Sequence, residues 1–246
     1  MKEDRYQPRI YRHRIESKDL SAFTVIEKET DLYIRATSNL QRKARRIVLK
    51  YRRQLEEYIL VNPEFRTSLK PLPSPQGAPR IVTEMIKVGQ KAGVGPMAAV
   101  AGALAEFVGR ELLEFTPEII IENGGDIFMK VNSPRVVGIY AGDSPLTGKI
   151  GLEIDPGETP LGICTSSGTV GHSLSFGSAD AVVVVAKSAA LADAAATSIG
   201  NIVKKSADIH PAVEAGRNMG ELKGIIVIKG ADIGVWGAVK LCETAG

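Results

Sequence analysis

AVVVVAKSAALADAAATSIGN, residues 181–201, joins a run of valines to an alanine-rich segment that carries Asp193 and Thr197 four positions apart. The valine run reads as a strand over 181–186 and the remainder as a helix over roughly 188–203. On a helix, a spacing of four puts both oxygen-bearing side chains on one face, about one turn apart. A carboxylate among alanines is costly to bury unless something compensates it. A hard cation with backbone carbonyls or phosphate oxygens would do so, and so would a helix cap or an internal hydrogen bond.

Upstream of this pair, strands are expected at 118–122, 126–131, 135–140, 149–154 and 161–165; downstream they are expected at 224–230 and 235–241, after a short polar helix near 209–217. Toward the start, 11–15, 23–29 and 31–37 read as strands, the last two joined as a hairpin around Glu29, Thr30 and Asp31. Leu40, Ala44, Ile47, Val48, Tyr51, Leu55, Tyr58 and Ile59 recur at helical spacing, with Ser38 available as amino cap. Met97, Val100, Leu104, Phe107, Val108, Leu112 and Phe115 mark another helix, with Glu106, Arg110 and Glu114 as an i, i+4 charged ladder on its other face. Strands in a row followed by helices predict an α+β fold, a two-layer arrangement of mixed or antiparallel sheets with packed helices, rather than a regular doubly wound sheet. We expect a single domain over 1–246, with sub-lobes 1–75 and 76–246 meeting near the proline-rich stretch PLPSPQGAP at 71–79.

The chain of 246 residues is 44% hydrophobic, ample for a sizeable core. Its net charge of +3 hides an asymmetry: residues 1–70 hold 17 Lys and Arg against 10 Asp and Glu, and the remainder holds 14 against 18. The basic cluster from Arg42 to Arg53 reads as a solvated face or a docking face for an anionic partner, and no nucleic-acid signature accompanies it. The start MKEDRYQP has neither the apolar run nor the cleavage pattern of a secretory leader, and no apolar run reaches a membrane span; these features predict a cytoplasmic protein without membrane association. Cys164 and Cys242 form no CxxC or Cys/His zinc pattern, which fits a reducing compartment.

Two further segments carry candidate chemistry. NGGDI, 123–127, lies between strands; its adjacent glycines allow a ligand close to the backbone, and Asp126 can bond a polar group or cap the turn. CTSSGTVGHSLSFGSADA, 164–181, interrupts apolar strands with hydroxyls, glycines and His172, a pattern that points to a ligand-facing loop. Cys164 with His172 allows a cysteine-nucleophile reading, and Ser173 or Ser175 with Asp180 a hydrolase reading, although neither spacing is diagnostic and GHSLSFG is not a GxSxG elbow. His172 fits a hydrogen-bonding or acid/base group better than a metal ligand, because His13 and His210 form no cluster with it. Phosphate-cradling GxxxxGK[ST] and GxGxxG motifs are absent.

The chain resembles the UPF0280 family over most of its length and, more distantly, the ApbE flavin transferases (FAD:protein FMN transferases). The latter likeness rests on NGGDI, on Ser167 with Gly168, and on the Val-rich strand followed by Ala-Asp-x-x-Ala-Thr, seen here as AVVVVAKSAALADAAAT. The resemblance implies Asp193 and Thr197 as Mg²⁺ ligands near an FAD pyrophosphate. It implies a nucleotide pocket lined by Asn123, Gly124, Gly125 and Asp126, with Ser167, Gly168 and Thr169 along the phosphates. The implied reaction is metal-assisted attack of a protein hydroxyl on the pyrophosphate, which moves FMN to an acceptor protein and releases AMP. His172 is a loose counterpart of the family's histidine, because GHSLSFGSAD replaces the His, Asp-Pro and Thr-Gly of that region. A non-catalytic flavin-binding or accessory protein, and a small-molecule hydrolase or redox enzyme using Cys164 and His172, are the alternatives. The apolar Val-rich and Ala-rich segments could also support a homodimer.

Overall fold

The computed structural model describes residues 19–168 and 176–244. The chain enters through a hairpin, β1 (Ser21–Glu27) and β2 (Thr30–Ala36), followed by the long helix α1 (Gln41–Val61) and a single turn α2 (Glu64–Thr67). Two helices come next, α3 (Arg80–Ala92) and α4 (Val100–Leu112), the second preceded by a 3₁₀ turn at Pro96–Ala99. Five strands follow: β3 (Ile119–Asn123), β4 (Asp126–Lys130), β5 (Arg135–Gly138), β6 (Ile150–Ile154) and β7 (Leu161–Ser166). The chain then runs through β8 (Ala181–Ala186), α5 (Ala189–Ile202), α6 (Ile209–Arg217), β9 (Leu222–Lys229), β10 (Asp232–Gly237) and β11 (Lys240–Glu243).

Eight strands form one sheet in the order β1-β2-β3-β4-β7-β8-β9-β10, and β11-β6-β5 form a second. Neighbouring strands in both sheets pair antiparallel. The larger sheet carries the helix layer on one face, with α4 over β3 and β4, α5 over β7 and β8, and α6 over β9 and β10. This is the expected two-layer α+β packing, and the small sheet adds cover on the opposite face of the central strands. The alternation along β8 explains the valine run. Val182 and Val184 face the helices, Val183 and Val185 face the small sheet, and all four are buried. A strand covered on both sides has no polar face to show in its sequence.

Helix α3 has no counterpart among the expected helices, and the single strand expected at 235–241 is broken at Ala238–Val239, which separates β10 from β11 in different sheets. Ser38 does not cap α1: Leu40 holds the cap position without a side-chain hydrogen bond, and Asn39 Oδ1 accepts from the Gln41 amide at 2.9 Å. The strand expected at 11–15 lies outside the described residues. Among the described residues no single helix is long and apolar enough to cross a membrane.

Candidate functional site

The valine strand and the alanine helix meet the NGGDI turn at one end of the large sheet. Residues alternate across β3 and β4, so Ile121 and Phe128 face the helices whereas Ile120, Ile127 and Met129 face the small sheet. Asn123 and Asp126 are in register with each other and continue the helix-facing rows. Above them sits the amino end of α4: Asn123 Nδ2 donates to the Ala101 carbonyl at 3.1 Å, tying that helix start to β3. Gly124 and Gly125 take φ values of 69° and 105°, which a side chain would strain, and a Cβ at either would meet nothing within 4 Å. The turn is closed by Glu122, whose Oε1 accepts from the Gly125 amide at 2.8 Å.

Asp193 is half-buried on α5 and directs Oδ2 to the Gly102 amide of α4 at 2.9 Å. It therefore serves as a cap supplied by a neighbouring helix, satisfying one of the amides that every helix start leaves open. Burial raises its carboxyl to about 7, against the opposing pull of the Gly102 and Ala101 amides. Asp126 is buried and accepts from the Thr165 amide at 3.3 Å. Burial pushes its carboxyl well above the ordinary range, the negative charge of Asp193 adds to the rise, and Glu122 contributes in the same direction. Two carboxylates from distant parts of the sequence thus share a low-dielectric space, an arrangement that favours a bound proton or cation over two free charges.

Cys164, buried on β7, belongs to the same cluster. Its thiol donates to the Ala189 carbonyl at 3.3 Å and is held protonated by burial together with the charges of Asp126 and Asp193. A nucleophilic cysteine needs the opposite environment. Asp180, named in the hydrolase reading, accepts from the Gly230 amide at 2.7 Å and pairs with Lys229 at 3.4 Å, which commits it to the β9–β10 end of the fold.

Helix α5 leads from the carboxylates toward Phe176 and Gly177. Thr197 follows Asp193 by one turn, about 6 Å along the axis, and is half-buried. At the far end of the helix, Asn201 Oδ1 accepts from the Phe176 amide at 2.9 Å, and a Cβ on Gly177 would fall 1.8 Å from the Gly200 carbonyl oxygen. The Gly168 amide donates to the Ala179 carbonyl at 2.9 Å. Ser167 and Gly168 are described, whereas Thr169, His172, Ser173 and Ser175 lie outside the described residues.

The donor set suits a hard cation. Asp126, Asp193 and Thr197 offer only oxygen, and Mg²⁺ is ordinarily held by one or two carboxylates with the rest of its shell from phosphates and water. Among the described residues no group of three or more His, Cys, Asp or Glu side chains could hold a metal ion by itself. Sequence reasoning missed Glu106. Its expected place in an exposed ladder is corrected: it is buried on α4, and its Oε2 accepts from Ser188 Oγ at 2.9 Å and from the Ala189 and Ala190 amides at 2.7 and 3.3 Å. Arg110 does pair with it at 2.8 Å, four residues on, and that spacing was the misleading signal.

A family model described as AbpE bacteria matches residues 12–224. A UPF0280 protein of Methanococcus aeolicus is 46% identical over 201 residues, covering 80% of this chain and 81% of its own. A UPF0280 protein of Methanocaldococcus jannaschii is 42% identical over 221 residues, covering 87% and 90%. Among solved structures, the flavinyl transferase ApbE of Pseudomonas stutzeri aligns with a TM-score of 0.54 at 12% identity over 88% of this chain and 94% of that one. The ApbE protein of Thermotoga maritima aligns with a TM-score of 0.55 at 12% identity over 87% and 96%. At these identities the structural likeness establishes the ApbE fold, and the sequence relatives establish the family: the chain belongs to the UPF0280 family, matched by the AbpE bacteria model.

Proposed function

We propose that this protein binds a flavin nucleotide through Mg²⁺ at Asp126 and Asp193, with Thr197 as a further ligand, and transfers FMN from FAD to a protein hydroxyl. The observation that carries the proposal is the meeting of buried Asp126 and half-buried Asp193, both with raised proton affinity and neither facing a cationic side chain among its named partners. Mg²⁺ would neutralise charge on the pyrophosphate as it develops during transfer. The chain's own part is to hold and orient. The backbone at Gly124 and Gly125 leaves room for a flat ligand, and Thr197 follows Asp193 by one helical turn on α5. In the transfer, the acceptor oxygen bonds the FMN phosphorus as the bond from that phosphorus to the bridging oxygen breaks. AMP departs with the bridging oxygen, and the hydroxyl proton passes to a base, the role expected of His172.

Calorimetric titration with FAD at fixed ionic strength, with and without Mg²⁺, tests the binding step. The proposal expects saturable binding that requires Mg²⁺ and disappears in Asp193→Ala. Mg²⁺-independent binding, or an unchanged isotherm in that variant, would remove the ligand assignment. Magnesium-dependent binding without AMP release in the presence of threonine-containing peptides would favour the accessory-protein reading.

A further inference from the structure

The geometry points to Glu106 as a positioning residue that fixes Asp193 over the sheet by clamping the amino end of α5. Helices α4 and α5 cap each other reciprocally. Glu106 of α4 takes the Ser188 hydroxyl and the Ala189 and Ala190 amides, while Asp193 of α5 takes the Gly102 amide of α4. The two caps lie one helical turn apart on each helix, Gly102 to Glu106 and Ala189 to Asp193, so together they set both the spacing and the rotation of the pair.

Between the caps the backbones touch. A Cβ on Gly102 would lie 2.3 Å from the Ala189 carbonyl oxygen and 2.8 Å from Asp193 Cβ. On its other side, α5 presses on β7, where a Cβ on Gly162 would lie 2.3 Å from Ala189 Cα. Ala189 is thus held between α4 and the sheet, and the Glu106 carboxylate bonds its amide directly. With Arg110 engaging the other carboxylate oxygen at 2.8 Å, Glu106 is anchored on its own helix as well. Movement of this clamp would carry Asp193, one turn along, away from Gly102.

The inference relies on the proposed cation site only for its affinity readout. Gly102 offers an independent one, because an amide bonded to a carboxylate has a distinctive nitrogen-proton resonance. In full-length protein labelled at glycine, Glu106→Ala should move the Gly102 resonance and accelerate its hydrogen exchange, while Gly216 and Gly234, in α6 and β10, stay in place. Glu106→Gln keeps an acceptor oxygen for Ser188 and the two amides and should restore the Gly102 resonance. Titrated with Mg²⁺ alone, Glu106→Ala should bind about 10- to 100-fold more weakly than the unmodified protein, the range typical when a ligand loses its outer support. A folded Glu106→Ala protein with an unmoved Gly102 resonance would overturn the inference. If that variant fails to fold, Glu106→Asp, which shortens the clamp by one methylene, must shift Gly102, and an unmoved resonance there would overturn it equally. Should the unmodified protein take up no Mg²⁺ while Gly102 responds as described, the positioning role stands and the cation assignment falls.

Discussion

Replacing Asp193 with asparagine separates the charge of this residue from its shape. Asparagine keeps an oxygen for the Gly102 amide but cannot ionise. In the unmodified protein the carboxyl rises from 3.8 to about 7 on folding, so between those values the folded state binds a proton that the unfolded chain releases. That contribution is fully present below the unfolded value and is lost as pH rises through the folded one. At 1.36 kcal/mol per pH unit the rise corresponds to at most about 4 kcal/mol, and the partly exposed edge of Asp193 reduces it to an expected ~2 kcal/mol. Asp126, also raised, adds a loss of the same sign. Urea unfolding followed by circular dichroism from pH 5 to 8 should show stability falling with pH, and Asp193→Asn should follow a shallower curve that crosses above it near neutral pH. Saturating Mg²⁺, at about a hundred times its dissociation constant, should restore about 2.7 kcal/mol at pH 8 to the unmodified protein and nothing to the variant. Parallel curves for the two proteins, offset by a constant amount, would refute the reasoning.

Three other outcomes follow from the same contacts. Gly102→Ala forces a methyl to 2.3 Å from the Ala189 carbonyl oxygen and should cost at least about 1–3 kcal/mol in urea unfolding; a change below about 0.5 kcal/mol would mean that the helices part easily. Asn123→Ala removes the bond to Ala101 and should destabilise by about 1–2 kcal/mol while weakening Mg²⁺ uptake, whereas unchanged unfolding would deny Asn123 its hold on α4. Cys242 is partly exposed and Cys164 is buried with a raised proton affinity, so a thiol reagent at pH 8 should label Cys242 rapidly and Cys164 only after unfolding; prompt labelling of Cys164 would revive a nucleophilic role.

The strands were readable wherever apolar residues came in runs bounded by turn residues, as at Ile119–Asn123 and Ala181–Ala186. The long α1 showed its buried stripe at helical spacing. Helix α3 had a readable stripe too, in the buried Ile81, Val82, Met85 and Ile86, but it starts after Pro79 without a side-chain cap, directly behind a proline-rich segment that drew attention to a boundary. Asp193 stood out because a lone carboxylate in an alanine helix has few reasons to be there, and Asp126 because paired glycines precede it. Their meeting was not legible, since it depends on which strands become neighbours, and β4 pairs with β7 across an excursion through the second sheet. Glu106 was hidden for a different reason: its four-residue spacing to Arg110 is the same whether a pair faces water or, as here, one member turns inward to cap another helix.

The most direct measurement is a crystal structure of the protein grown with FAD and Mn²⁺, using the metal's anomalous scattering. The proposed site predicts one peak within about 2.2 Å of a carboxylate oxygen of Asp193, facing Asp126, with the flavin pyrophosphate completing its shell and the isoalloxazine beside Gly124 and Gly125. A flavin bound elsewhere, or no metal beside Asp193 when flavin is present, would contradict the account and leave Asp193 as a helix cap.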